Sequence, residues 1–186
     1  MNASGRPFSG RRRKGLKQLM TGSNDWVGSD FQRGPQPDGE VGLCGACRAL
    51  GACRLGLKRE HLGEDGVVRS HLVCPAGHEG GPGVAHGGWT AGVLDELLGH
   101  VPMLHRSLSV TKTLEVSFLR PVPIERPLEA SAWATRREAG RWYIAGEIRL
   151  ASTGAELARA AGVFVERDPA HFSRFERWLD EQDRAG

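Results

Sequence analysis

Between residues 108 and 118 apolar and polar side chains alternate. Leu108, Val110, Leu114, Val116 and Phe118 form one row, Ser109, Thr111, Thr113, Glu115 and Ser117 the other, and Lys112 is the one polar residue in the apolar row. A period of two sustained over this length predicts a strand with one buried face. Arg120-Pro121-Val122-Pro123 ends it, because proline has no N–H to give to a ladder. The same pattern predicts strands over 128–136 (Ala130, Ala132 and Ala134 against Trp133), 141–150 (Trp142, Ile144, Ile148, Leu150) and 156–166 (Leu157, Val163, Val165). Glu138-Ala139-Gly140 and Ser152-Thr153-Gly154 are short enough to make these strands an antiparallel meander. Upstream, Val67, Val68, Leu72 and Val73 predict a first strand over 66–74, after the Glu64-Asp65-Gly66 turn.

Between 83 and 99 the period changes. A glycine-rich turn opens into a helix of about three turns, on which Val93, Leu94, Leu97 and Leu98 share one arc. Asp95 falls at the edge of that arc, beside a lane of small residues, Gly88, Ala91 and Gly92, which offers either a groove for a slender ligand or close packing of the helix on a sheet with Asp95 facing water. Gly87 and Gly88 leave the first N–H groups of the helix uncovered by side chains, so a carbonyl oxygen can reach them. The chain ends in an amphipathic helix over 170–182 with Phe172, Phe175, Trp178 and Leu179 on one face. The order strand, helix, four strands predicts an α+β fold in which one antiparallel sheet wraps around one apolar helix.

The chain of 186 residues is sized for one domain with tails. Its net charge of +3 argues against a dedicated nucleic-acid binder, and no apolar run reaches the length of a membrane span. The start lacks the apolar core of a secretory signal, so a cytoplasmic location is expected. Residues 1–40 hold the basic cluster Arg6, Arg11, Arg12, Arg13, Lys14 and Lys17 among Gly, Ser, Pro, Asp and Asn. They read as a disordered basic tail with a short helical segment at 16–20. Such an arm is either a solvated tail or a contact for nucleic acid or anionic lipid.

Residues 41–62 form a cysteine-containing segment. Cys44, Cys47 and Cys53 read C-x-x-C-x5-C, and with Cys74 they make a candidate four-sulfur structural zinc site, with His78 as an alternative fourth ligand. The competing reading is a set of unliganded thiols, and zinc has no expected part in catalysis.

The run H-G-G-W-T-A-G-V-L-D-E, followed by T-K-T-L-E-V-S-F-L-R-P-V-P, resembles the hotdog-fold acyl-CoA thioesterases of the PaaI type. The resemblance covers residues 66–167. It implies a hotdog domain over 63–168, with the last helix over 169–186, and hydrolysis of an acyl-CoA or related thioester. By position it makes Asp95 the general base or nucleophile. It makes Gly88, joined by Gly87, the oxyanion hole, and Thr111 a hydroxyl on the strand of a neighbouring subunit that holds the water. Thr113, read as lying on the same face, is the alternative to Thr111. His86 is expected to cap and orient the loop. Arg120, with Arg136, Arg137 and Arg141 as lesser candidates, would hold the phosphates of coenzyme A. Many relatives carry Asn or Gln several residues ahead of H-G-G. Here that place falls near Gly80, and His78 is the candidate replacement. A homodimer or tetramer is implied, as is an acyl pocket shaped by Trp89, Leu94, Trp133 and Trp142. The alternative is a hotdog domain that binds an acyl thioester or lipid without cleaving it.

Overall fold

The computed structural model describes Cys47 and residues 52–185, with Arg59 as backbone only. The expected disordered tail, its helical segment and Cys44 lie outside the described residues.

Strands β1 (Leu57–Leu62), β2 (Val68–Val73), β5 (Ser109–Phe118), β6 (Pro127–Glu138), β7 (Arg141–Leu150) and β8 (Glu156–Glu166) form one antiparallel sheet. The spatial order is β1-β2-β6-β7-β8-β5, and a two-stranded hairpin, β3 (Glu79–Gly81) with β4 (Val84–Ala85), stands apart from it. Helix α1 (Gly87–Leu104) lies against the sheet, and α2 (His171–Ala185) follows it. The four strands after the helix and the helix covered by an antiparallel sheet are as expected, and β6-β7-β8 is the expected meander, but β5 lies beside β8 and not beside β6, a placement that the pattern did not contain.

Val93, Leu94, Leu97 and Leu98 are all fully buried, so the arc read from the sequence is the face that packs on the sheet. The sheet receives them through small residues: Ala130, Ala132, Ala158 and Ala160 are buried. A Cβ on Gly146 would stand 2.6 Å from Leu98 Cδ1 and 2.8 Å from the Ser131 carbonyl oxygen. The missing side chain at Gly146 is what lets a leucine-faced helix sit this close. Helix α1 runs past the three turns expected from sequence, and Pro102 lies inside it. It ends where Arg106 takes a positive φ of 57° and its N–H donates to Met103 O at 2.8 Å, a left-handed stop usually made by glycine. Trp89, Leu94 and Trp142 belong to the core cluster, so these three pack the interior and do not line an open acyl pocket.

Strand β1 was not visible as a pattern because a glutamate stands between Leu57 and Leu62 among its inward positions, and a register shift separates Leu57 from Glu60. Glu60 pairs across from the buried Ser70 and is itself 5% exposed. It is balanced by His100 of α1, whose Nδ1 lies 2.5 Å from the Glu60 carboxylate and whose Nε2 lies 3.4 Å from Glu96. Burial alone would push the imidazolium down, but the Glu60 charge and hydrogen bond, joined by Glu96, outweigh it and raise the pKa to about 9. The Glu96 carboxyl is held below its ordinary value, first by its hydrogen bond to His100.

Because the folded value lies above the ordinary 6.5, the bridge contributes its full stability below that pH and loses it as pH rises through about 9. Urea melts from pH 6.5 to 9.5 are expected to show a loss of about 3 kcal/mol, and His100→Gln should flatten that slope. An unchanged slope in the variant would remove His100 as its source.

Candidate active site

Two glycines start α1, and His86 caps it. The His86 backbone is extended, with φ −60° and ψ 137°, and its Nδ1 accepts the Gly88 N–H at 2.9 Å. The next two donors are also engaged, since the Trp89 and Thr90 N–H groups both donate to His86 O. That leaves Gly87: among the described residues no group accepts from its N–H. The donor open to a ligand is therefore Gly87. Gly88, which sequence reasoning placed first, is held by the imidazole. Nothing in the pattern of residues could show this, because the ring reaches only two residues along the chain.

The imidazole also reports its own tautomer. A nitrogen that accepts a hydrogen bond carries no proton, so the neutral ring has its hydrogen on Nε2. The segment ahead of His86 is fixed by close backbone packing. The His86 N–H donates to His78 O at 2.8 Å, and a Cβ on Gly80 would stand 2.7 Å from His86 Cα. No side-chain amide fits at Gly80. The His78 ring lies 6.4 Å from the Trp89 ring, so this residue supports the loop through its carbonyl and packs beside a core tryptophan.

Two turns along α1, Asp95 is half-buried and accepts a hydrogen bond from Thr111 Oγ1 at 2.9 Å. The contact is made within one chain. Its cause is a bulge. In the β5–β8 ladder Thr111 faces Phe164 and Thr113 faces Val163, with Lys112 left over. The extra residue shifts the alternation by one, which turns Thr111 onto the same face as the buried Phe164 and toward α1. Thr113 consequently falls on the opposite face, so the two threonines do not share a side as the unbroken alternation suggested. The lone polar residue in the apolar row was the visible trace of the bulge.

The lane of small residues beside Asp95 is partly filled by the chain itself. Leu55 lies 3.8 Å from where a Cβ on Gly92 would be, and Leu55 O accepts from Trp89 Nε1 at 3.1 Å. Arg120 is exposed and donates to Glu156 O at 2.6 Å. Arg136 and Arg137 pair with Glu138 and Glu166 and stack over Tyr143 and Trp142, which occupies both guanidinium groups.

The Arg54 N–H donates to Cys47 Sγ at 3.3 Å. Burial pushes the Cys53 thiol up, partly offset by backbone hydrogen bonds from Leu55 and Leu57. Cys74 is buried in the core cluster, its thiol donates to Pro75 O, and burial pushes its pKa up to about 11. Among the described residues no three metal-ligating side chains gather. No helix among them is long and apolar enough to cross a membrane.

An antiparallel sheet wrapped on one long helix is the hotdog arrangement. The thioesterase superfamily model matches residues 82–156, the stretch that holds Gly87, Asp95 and Thr111. A solved thioesterase superfamily protein superposes with a TM-score of 0.58 at 23% identity, over 84% of this chain and 81% of its own. A hypothetical thioesterase of Streptococcus pneumoniae, solved with coenzyme A, matches with a TM-score of 0.55 at 16% identity, over 59% of this chain and 84% of that one. The E. coli PaaI protein of the phenylacetic acid degradation operon gives 0.54 at 18% identity, over 66% and 84%. The fold implied by the resemblance is thus the fold observed. Two variants of the S. pneumoniae protein have also been solved, one with an aspartate and one with a threonine changed to alanine.

Proposed function

We propose that this chain hydrolyses an acyl thioester of coenzyme A or a related thiol. The observation that carries the reading is the Asp95–Thr111 hydrogen bond, set by a bulge inside the stretch matched to the thioesterase superfamily. Thr111 engages Oδ1 and so orients the carboxylate, leaving Oδ2 to act. As general base, Asp95 takes a proton from water while the water oxygen bonds to the thioester carbon. The carbonyl electrons move onto oxygen, where a backbone N–H such as that of Gly87 stabilises the charge. Collapse breaks the C–S bond, and the proton held by Asp95 returns to the departing thiolate. Direct attack by the carboxylate is the other route open to the same residue.

Along a helix the rise per residue separates Gly87 from Asp95 by about 12 Å, too far for both to serve one carbonyl within a chain. A homodimer, alone or within a tetramer, resolves this if the helix start of one subunit faces Asp95 of the other. Strand β5 ends the sheet with Thr111 on it, so its outer edge is open to a second copy. Arg120 is the candidate holder of a coenzyme phosphate. Support for the thiol comes from neighbours of like fold: the S. pneumoniae protein was solved with coenzyme A and a Streptococcus mutans protein with acetyl CoA.

Gly80 favours a second reading, a domain that binds a thioester without cleaving it, because no side-chain amide adds to the backbone donor there. A panel of aliphatic and aromatic acyl-CoAs, followed by thiol release, separates the two. Turnover of at least one member is expected. Binding without thiol release across the panel would establish the second reading and remove the first.

A further inference from the structure

Among the described residues four large apolar side chains are exposed: Phe118, Leu119, Phe175 and Trp178. Phe175 and Trp178 stack on each other on α2, and nothing in the structure shows what covers them. Phe118 is different, because its surroundings say what it faces. It is the last residue of β5 and pairs opposite the buried Ala158, so it lies on the inner face of the sheet, with Leu114 and Val116. Those two pack against the core, yet Phe118 is 57% exposed. The cause lies in α1. The helix begins with two glycines, so its first two positions offer no side chain for the end of the strand to pack on. The Phe118 ring lies over bare backbone, with Cε1 and Cζ 3.6 Å from the point a Gly87 Cβ would occupy. An apolar ring left in water therefore flanks the one N–H of the helix start that has no partner among the described residues.

We propose that Phe118 determines acyl specificity, its ring forming the apolar wall for the carbons next to the thioester carbonyl. The proposal rests on the reading of the Gly87 N–H as the carbonyl's partner. A carbonyl oxygen bound there brings the planar thioester and its neighbouring carbons alongside the ring. Covering the ring removes apolar surface from water, and excluding water strengthens the N–H···O bond beside it. A charged group on the carbon next to the carbonyl would instead lose hydration against an aromatic face with nothing to replace it. The substrate class this selects is acyl groups that are hydrocarbon close to the carbonyl, and the class it rejects bears a carboxylate there.

Propionyl-CoA and malonyl-CoA carry, respectively, a methyl group and a carboxylate on the carbon next to the carbonyl. Their non-hydrolysable ketone analogues, with CH2 in place of sulfur, allow binding to be measured by calorimetry apart from turnover. The full chain should prefer the propionyl analogue by at least about tenfold. Phe118→Ala should weaken that analogue about tenfold and change the malonyl analogue little, Phe118→Leu should fall between, and Phe175→Ala should match the parent. Unchanged propionyl binding in Phe118→Ala would overturn the proposal, as would failure of the parent to bind either analogue. A Phe118→Ala protein that loses its oligomeric mass would overturn it too, by making the ring a subunit contact. A parent that binds the propionyl analogue with the expected Phe118 dependence but cleaves no thioester would leave the wall standing and remove only the hydrolytic reading.

Discussion

Asp95→Asn is expected to lower kcat for thioester hydrolysis by about 10²- to 10⁴-fold, the range supplied by a positioned general base. The substitution is chosen to leave everything else in place. An asparagine has the same shape and its Oδ1 can still accept from Thr111 Oγ1, the one hydrogen bond that orients the aspartate. Asp95 is half-buried at the edge of the packed arc, whereas Leu94 beside it is fully buried, so the helix should keep its seat. What is lost is the ability to take a proton or to attack as a carboxylate. The measurement is thiol release under saturating substrate, with thermal melting and solution mass recorded on the same preparation. An activity within a few fold of the parent, on every thioester that the parent cleaves, would remove Asp95 from the chemistry.

How far these residues could be read from sequence depends on what fixed each one. The strands of the meander and the buried arc of α1 were legible because each repeats one physical requirement, a buried side chain at every second or every third to fourth position. Strand β1 was not, since the inward row of Leu57 and Leu62 is interrupted by Glu60, which is balanced there by His100 forty positions away. Alternation also misplaced Thr113. The single extra residue at Lys112 reverses the facing of everything before it, and a bulge is a property of the ladder formed with β8, not of β5 alone. Gly87 and Gly88 were legible as two backbone donors without a covering side chain, and the resemblance gave them their expected role. Which of the two lacks a partner is decided by the His86 ring, whose Nδ1 accepts from Gly88. Except at β1 the pattern located the element, and a partner distant in sequence or an imidazole's orientation decided what the element offers.

Gly87→Pro should lower kcat by about 10²- to 10³-fold, the cost of losing one oxyanion donor, with little effect on folding. Proline removes the N–H in question, and it does so at the first helical position, where that N–H has no partner in the helix and proline is well accommodated. The residue before a proline must be extended, and His86 already is, at φ −60° and ψ 137°. A Cβ at Gly87 meets only the Phe118 ring, at an ordinary contact distance of 3.6 Å. Gly87→Ala, which keeps the donor and adds the same Cβ, is the control and should retain most of the activity. The two damaged proteins can then be combined. If each site takes its N–H from one subunit and its carboxylate from the other, a mixed dimer of Asp95→Asn with Gly87→Pro rebuilds one intact site from Gly87 of the first and Asp95 of the second. Random reassociation of equal amounts makes half the dimers mixed, so mixing should restore about a quarter of the parent activity. If both groups act within one chain, each subunit in the mixture is still missing one of them, and no activity returns.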